Sequence, residues 1–419
     1  MPGTGKSTLL IFIIQLLIVL NKRILFSCYT HTAVDNVMCK LIQCNTMRHK
    51  LMRIGNINQI HTDLHHITLQ QNQTASNDSA MSYSSVSELC ELMSNTPLVG
   101  VTCLGINNIV LQHSRYDVCI IDEASQITHS ITLGPLLYAD KFVLVGDHQQ
   151  LSPLIKSFHA KLHGADTSLL HLLADKHPGC VNKLTQQYRM NNDIVLLCNT
   201  LVYQHQLLCG NDDVAAARLQ YKQCSTLMDR HQWISNALDI QSGVVWLNTQ
   251  HIHPIPHHID NKHKSNTSMI NLTEAKLITI LVHTLVSNGI ECSDIGIISP
   301  YRQQLSVVRH QLQLQSTQYS SIECDTVDRY QGRDKDIIII SFVHRQHMTD
   351  NPDQPFSHNE LMNDIKRINV AITRSKKKLL LIGNVHVVQH SPVFNRLIQL
   401  LGEQNWIQQL PKDAHLTEL

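Results

Sequence analysis

The sequence predicts an α/β protein of two domains, each built on a parallel sheet. Three observations carry this. The 419 residues suit two or three domains at roughly 150 residues each. Short, continuously apolar, β-rich runs alternate with longer amphipathic ones, the pattern of strands covered by helices on both faces. These runs fall into two sets, with a junction near Asp175–Asn182 around Pro178-Gly179. The predicted domains are therefore 1–178 and 179–419.

In chain order, the first set predicts a helix over Ser7–Leu20, a strand over Arg23–Ser27 and a helix over Thr32–Gln43. Strands follow over Leu98–Thr102, Val118–Asp122 and Phe142–Gly146. The second set predicts strands over Val244–Asn248, Ile295–Ser299, Ile337–Phe342 and Leu379–Gly383. Its helices are Glu274–Asn288, Arg302–Leu314 and Asp364–Arg374. Two stretches break the pattern. Ile60–Asn95, rich in Gln, Asn, Ser and Thr, reads as a solvated insertion with some helix near its end. Asn211–Asn271 reads as mostly irregular apart from VVWLN. The five histidines within His251–His263 invite a metal reading, but two prolines and the lack of fixed spacing favour a polar loop.

Lys+Arg 34 against Asp+Glu 33 gives a formal charge of +1, which excludes a polyelectrolyte or a wholly disordered chain. It does not exclude a local basic groove for nucleic acid. Twelve cysteines contain no CxxC pair, so no zinc or iron–sulfur site is expected, and a reduced, intracellular protein is the simplest reading. The apolar run Leu9–Leu20 imitates a signal peptide but is too short to span a bilayer, and no membrane association is expected.

MPGTGKST (Met1–Thr8) carries the last part of a Walker A loop running into a helix. Gly3 and Gly5 permit positive φ, so the N–H groups of Gly3, Thr4, Gly5, Lys6, Ser7 and Thr8 wrap phosphates. Lys6 suits the β- and γ-phosphates, and the Ser7 hydroxyl suits Mg²⁺. A phosphate loop is a strand–loop–helix unit. The motif's opening glycine and its feeding strand would precede Met1, so the first strand of domain 1 is missing and a fragment is expected. That strand is expected near the centre of the first sheet. CIIDEAS (Cys119–Ser125) is an apolar strand ending in paired acids, where Asp122 suits Mg²⁺ and Glu123 suits activation of water. VLVGDHQQLSPL (Val143–Leu154) ends another strand beside the same crevice, and its Gln150 is a candidate for sensing the γ-phosphate. QYRM (Gln187–Met190) and NVAITRSK (Asn369–Lys376) present Arg189 and Arg374 as candidate arginine fingers from the second lobe.

GTGKST, YTHTAVDN, DEASQI, GDHQQL, QYRM, SPYRQQ, TVDRYQGRDKD and NVAITRSK resemble, in order, the motif series of superfamily 1 helicases. ADKFVLVGDHQQL, TEAKLI and SDIGII further resemble the helicase portion of the eukaryotic flap-processing helicase–nucleases. The resemblance implies two RecA-like domains and an ATP site at Lys6, Ser7, Asp122, Glu123, Gln150, Arg189, Gly332 and Arg374. It also implies contacts to a single strand, or a relay of nucleotide state, at Thr30, His31, Asn36, Tyr188, Tyr301 and Arg329. Two departures stand out: Ser152 where a proline is usual, and Asp334 where many relatives carry Glu, shortening a possible ribose contact. The family's base-recognition segment and its nuclease with a cysteine-ligated iron–sulfur cluster lie outside this sequence.

The implied function is an ATP- and Mg²⁺-dependent, 5′-to-3′ DNA helicase on single-stranded, flap or forked DNA. Replication and single-strand-binding proteins are the implied partners, and the nucleus, or also the mitochondrion, the implied location. Three alternatives stay open: an RNA helicase of the same superfamily, a catalytically inactive nucleic-acid-binding fragment, and a metabolic phosphate-loop kinase. The last leaves QYRM and NVAITRSK unexplained.

Overall fold

The computed structural model describes residues 1–44, 50–69, 86–112, 114–223, 225–255, 270–343, 364–389 and 391–418. They form two compact units, Met1 with Gly5–Leu184, and Pro2–Thr4 with Thr185–Leu419.

The first unit opens with α1 (Lys6–Val19), whose Leu10, Ile14 and Ile18 recur every four residues and are buried. Next come β1 (Ile24–Cys28), α2 (His31–Ile42), β2 (Leu51–Ile54), β3 (Thr68–Leu69), α3 (Val86–Asn95) and β4 (Leu98–Thr102). The unit continues through β5 (Tyr116–Ile121), α4 (His129–Leu136), β6 (Ala139–Leu144), α5 (Phe158–Leu162) and α6 (Leu169–Lys176). The strands form one parallel sheet, ordered β3-β2-β4-β1-β5-β6. Every strand pairs with its neighbours, so the break expected near the centre of this sheet is corrected: the ladder is continuous among the described residues. Its open side is β6, where Phe142 and Val143 are exposed. No helix among the described residues is long and apolar enough to cross a membrane. The polar insertion expected over 60–95 is ordered at both ends, as a 3₁₀ turn (Thr62–Ile67) with β3, and as α3. Its residues 70–85 lie outside the described residues.

The second unit contains β7 (Gln186–Gln187), α7 (Asn192–Cys198), β8 (Leu208–Cys209), α8 (Asp212–Ala215), α9 (Thr226–Arg230), α10 (Gln232–Ala237) and β9 (Val244–Asn248). Then follow α11 (Leu272–Ser287), β10 (Ile295–Ile298), α12 (Arg302–Gln315), β11 (Glu323–Asp325), α13 (Val327–Tyr330) and β12 (Lys335–Ser341). The unit ends with α14 (Ile365–Ile372), β13 (Ser375–Gly383), α15 (Val385–Val388), α16 (Pro392–Glu403) and β14 (Ile407–Gln409). A second parallel sheet runs β11-β10-β12-β13-β9-β14. Its aromatic centre stacks Trp246 on Phe342 with ring centroids 5.0 Å apart. The stretch 211–271, read as mostly irregular apart from VVWLN, also holds three short helices, α8, α9 and α10. Asn211 caps the first of these through Val214 N–H, a short local signal with no long period to announce it. Residues 256–269, with the later histidines of His251–His263, lie outside the described residues.

Lys378 is buried inside β13, with Nζ donating to the carbonyls of Asp239 at 2.8 Å and Ser242 at 2.7 Å. Burial pulls its pKa from 10.5 to about 7. The unfolded chain therefore holds a proton that the folded chain releases between those values, so stability rises with pH inside that window. Each pH unit there is worth at most about 1.4 kcal/mol. We expect wild-type protein to gain resistance to denaturant from pH 7 to 9 and Lys378→Met to lose that gain. Equal slopes in both proteins would show that the two carbonyls keep the ammonium charged.

Candidate functional site

The amino end of α1, the carboxyl ends of β5 and β6, and the turns after them make one polar cluster in the first unit. Gly3 (φ 67°) and Gly5 (φ 77°) hold left-handed backbone, and Gly5 stands at the N-cap of α1. Gly5 has no side chain with which to cap this helix start, whose positive end favours an anion. Thr4 is buried, Lys6 and Ser7 are half-buried, and Thr8 is exposed. Lys6 Nζ donates to Met1 O at 2.6 Å, and the Met1 backbone nitrogen lies 3.8 Å from Asp147 Oδ2.

The β5 strand delivers its two acids as expected. Asp122 is buried; its N–H donates to Ser27 O, tying the turn to β1, and its Oδ1 accepts from Glu123 N–H at 2.9 Å. Burial, then the charge of Glu123, pushes the Asp122 carboxyl up to about 6, while the Lys6 charge pulls it down. Glu123 has φ 52°, a left-handed conformation rare for a residue with a side chain. The next residue fixes that turn, with Ala124 N–H donating to Val145 O at 2.9 Å. Glu123 Oε2 accepts from Gln126 Nε2 at 3.1 Å.

Gln150 is buried, with Nε2 donating to Asp147 Oδ2 at 3.1 Å, while Asp147 Oδ1 accepts from Gln149 N–H. Asp147 is thus the centre of this turn. Sequence reasoning named Gln150 and passed over Asp147, whose only signal was a second acid directly after an apolar strand.

In the second unit, Arg189 donates to Asp334 Oδ2 at 2.8 Å and to Thr373 O at 3.2 Å. Lys376 Nζ holds the other Asp334 oxygen at 2.8 Å. Burial raises the Asp334 carboxyl, but Arg189 and Lys376 outweigh it and leave it lowered. Asp334, read from sequence as a shortened ribose contact, therefore spends both oxygens on cations here. Arg374 is buried, with its guanidinium on Val370 O, Arg333 O and Thr373 Oγ1. Gly332 has φ 82°, so any side chain there would be strained.

The candidate strand contacts are placed as follows. Thr30 caps α2 by accepting from Ala33 N–H, His31 opens that helix, and Asn36 lies exposed on it. His31 Nδ1 faces Arg53 Nη2 at 3.1 Å. Tyr188 is exposed, and a Cβ at Gly210 would collide with its ring. Tyr301 stands half-buried at the N-cap of α12, and Arg329 is exposed on α13. Cys39, His61 and Asp63, scattered in the sequence, bring one ligand atom each within 4.8 Å of one another. Burial and the neighbouring carboxylates raise the Cys39 thiol, which disfavours the thiolate a metal needs.

The site residues suit a nucleotide with a hard cation. Positive-φ glycines before a helix start favour phosphates, and the Ser7 hydroxyl with the Asp122 carboxylate is an oxygen donor set. A cation would also relieve the cost of burying Asp122.

The chain is similar to several known proteins. A family described as AAA domain matches residues 165–386, just over half of the chain. A second family of the same description matches 1–94 and 84–158. The chain is 38% identical over 423 residues to the "DNA replication ATP-dependent helicase/nuclease DNA2" of Xenopus laevis, and 37% identical over 423 residues to that of Saccharomyces cerevisiae. Both alignments take in 99% of the chain but only 38% and 26% of those relatives. A solved Arterivirus helicase, nonstructural protein 10, aligns over 91% of this chain and 57% of its own at 11% identity and a TM-score of 0.42. The α/β assignment rests on the two parallel sheets themselves.

Proposed function

The chain belongs to the AAA domain family, and on that premise we propose that it is the ATP-hydrolysing motor portion of a DNA helicase. One observation carries the reading: Lys6, Asp122, Glu123, Asp147 and Gln150 gather where α1 begins and β5 and β6 end. The relatives' shared description as replication helicase–nucleases supports DNA as the substrate.

In this reading the loop Gly3, Thr4, Gly5, Lys6, Ser7 and Thr8 holds the triphosphate. Ser7 and Asp122 hold Mg²⁺, which when bound neutralises charge on the phosphates. Glu123 orients the attacking water and takes its proton, and Gln150, held by Asp147, positions that water. Arg189 and Arg374 supply cations for charge that grows in the transition state, and Gly332 lets backbone approach the nucleotide closely. Thr30, His31, Asn36 and Arg329 suit backbone phosphates, and Tyr188 and Tyr301 suit the faces of unpaired bases. We propose 5′-to-3′ movement on single-stranded, flap or forked DNA, with replication and single-strand-binding proteins as partners and the nucleus as the place of action.

ATP turnover of the chain with and without single-stranded DNA or RNA tests this, paired with unwinding of 5′- and 3′-tailed duplexes. Stimulation by DNA above RNA, with unwinding from the 5′ tail, is expected. Stronger stimulation by RNA would replace the reading with an RNA helicase, and nucleotide binding without turnover would replace it with an inactive binding module.

A further inference from the structure

Arg53 interrupts the apolar strand β2 and is fully buried. Its guanidinium is divided among several partners. Nε donates to Asp35 Oδ1 of α2 at 2.8 Å, and Nη1 donates to Ile54 O at 2.6 Å and to Gly100 O at 3.4 Å. Nη2 faces His31 Nδ1 at 3.1 Å. Asp35 is itself held, because its Oδ2 accepts from His61 N–H at 2.9 Å. A guanidinium has donors and no acceptor, so the imidazole nitrogen opposite it must accept. The ring proton then sits on Nε2. The seat is shaped for the ring as well: a Cβ at Gly55 would come within 3.1 Å of His31 Cε1 and 3.3 Å of Arg53 Nη1.

We propose that Arg53 is a positioning residue that locks His31 as the neutral Nε2–H tautomer, so that His31 offers a nucleic-acid backbone a hydrogen bond without a charge. This rests on the reading above that His31 contacts the strand. An arginine used only to neutralise Asp35 would favour the two-pronged carboxylate pairing its fork is suited to. Here one prong serves the carboxylate and another is turned to the imidazole. The charged groups facing His31 are Arg53 from β2 and Asp35 from α2; burial and then Arg53 lower its pKa, and Asp35 opposes them. A neutral contact displaces no counterion, so it adds affinity without adding salt dependence.

Nitrogen-15 NMR of the histidine-labelled full chain tests the tautomer directly, with His31 assigned by its loss in His31→Gln. The expected spectrum shows protonated Nε2 and bare Nδ1 at pH 7, with titration below the ordinary histidine range. In Asp35→Asn/Arg53→Met, which removes both charges together, His31 should titrate closer to an ordinary histidine and populate both tautomers. Binding of single-stranded DNA supplies the second readout. His31→Ala should weaken it while leaving the slope of log K against log salt unchanged, whereas loss of a charged contact would reduce the slope by about 0.7. An Nδ1–H tautomer, a protonated ring at pH 7, or a double variant with an unaltered His31 spectrum would overturn the proposal. The expected tautomer together with unchanged DNA affinity in His31→Ala would overturn instead the reading of His31 as a strand contact.

Discussion

Glu123→Gln is expected to bind ATP and fail to hydrolyse it, with turnover lower by about 10²–10⁴-fold, the usual worth of a positioned general base. The substitution keeps the shape of the side chain and removes its negative charge together with its capacity to take a proton. The backbone around it is unusually committed. Glu123 stands at φ 52°, a conformation that costs on the order of 1–3 kcal/mol for a residue with a side chain. It is held by Asp122 N–H on Ser27 O, Glu123 N–H on Asp122 Oδ1, and Ala124 N–H on Val145 O. None of these bonds involves the Glu123 carboxylate, so glutamine should inherit the same turn. Lys6→Ala should differ in kind, because a lysine on the phosphates contributes to the ground state as well as the transition state, and nucleotide affinity should fall with turnover. Single-turnover rates measured beside nucleotide affinity separate the two cases. Near-wild-type turnover in Glu123→Gln would remove Glu123 from the chemistry and leave its strained turn a purely structural feature.

The same site shows what a sequence reveals and what it conceals. Lys6, Ser7, Asp122 and Glu123 stood out as candidates because the proposed chemistry calls for fixed local patterns, a glycine loop into a helix and acids at the end of an apolar strand. Strands such as Leu98–Thr102 and Val244–Asn248 were legible because they are apolar up to their last residue and buried on both faces. By contrast, β2 was hidden by its arginine, and β3, β11 and β14 are two or three residues long, too short for any period to register. The β6 strand begins earlier than its apolar run, at Ala139, and its middle residues are exposed, so hydropathy marked only its end. The hub role of Asp147 and the pairing of Asp334 with Arg189 and Lys376 are tertiary facts. Nothing in the local sequence separates Asp334 from the other acids of QGRDKD. The Asp35–Arg53 pair is likewise invisible, since two residues eighteen apart meet only once α2 and β2 are both folded into the first unit.

That pair sets the second large effect, this time on stability. Arg53→Met alone should destabilise the protein by about 3–5 kcal/mol, the usual result of leaving one member of a buried ion pair uncompensated. Asp35 is 4% exposed, so its carboxylate would be left facing the interior of the first unit without its cation. Against a stability of about 5–15 kcal/mol for a typical domain, such a loss is a large part of the whole. Adding Asp35→Asn to Arg53→Met should restore much of it, because the amide carries no charge and its oxygen still accepts from His61 N–H. Full recovery is not expected, since Ile54 O and Gly100 O lose the Arg53 donor in both variants. Denaturant melts followed by hydrogen exchange in β1, β2 and β4 would localise the change to the first unit. A double variant as unstable as Arg53→Met alone would mean that Arg53 acts through its carbonyl bonds and its packing, and that its charge on Asp35 contributes little to the fold.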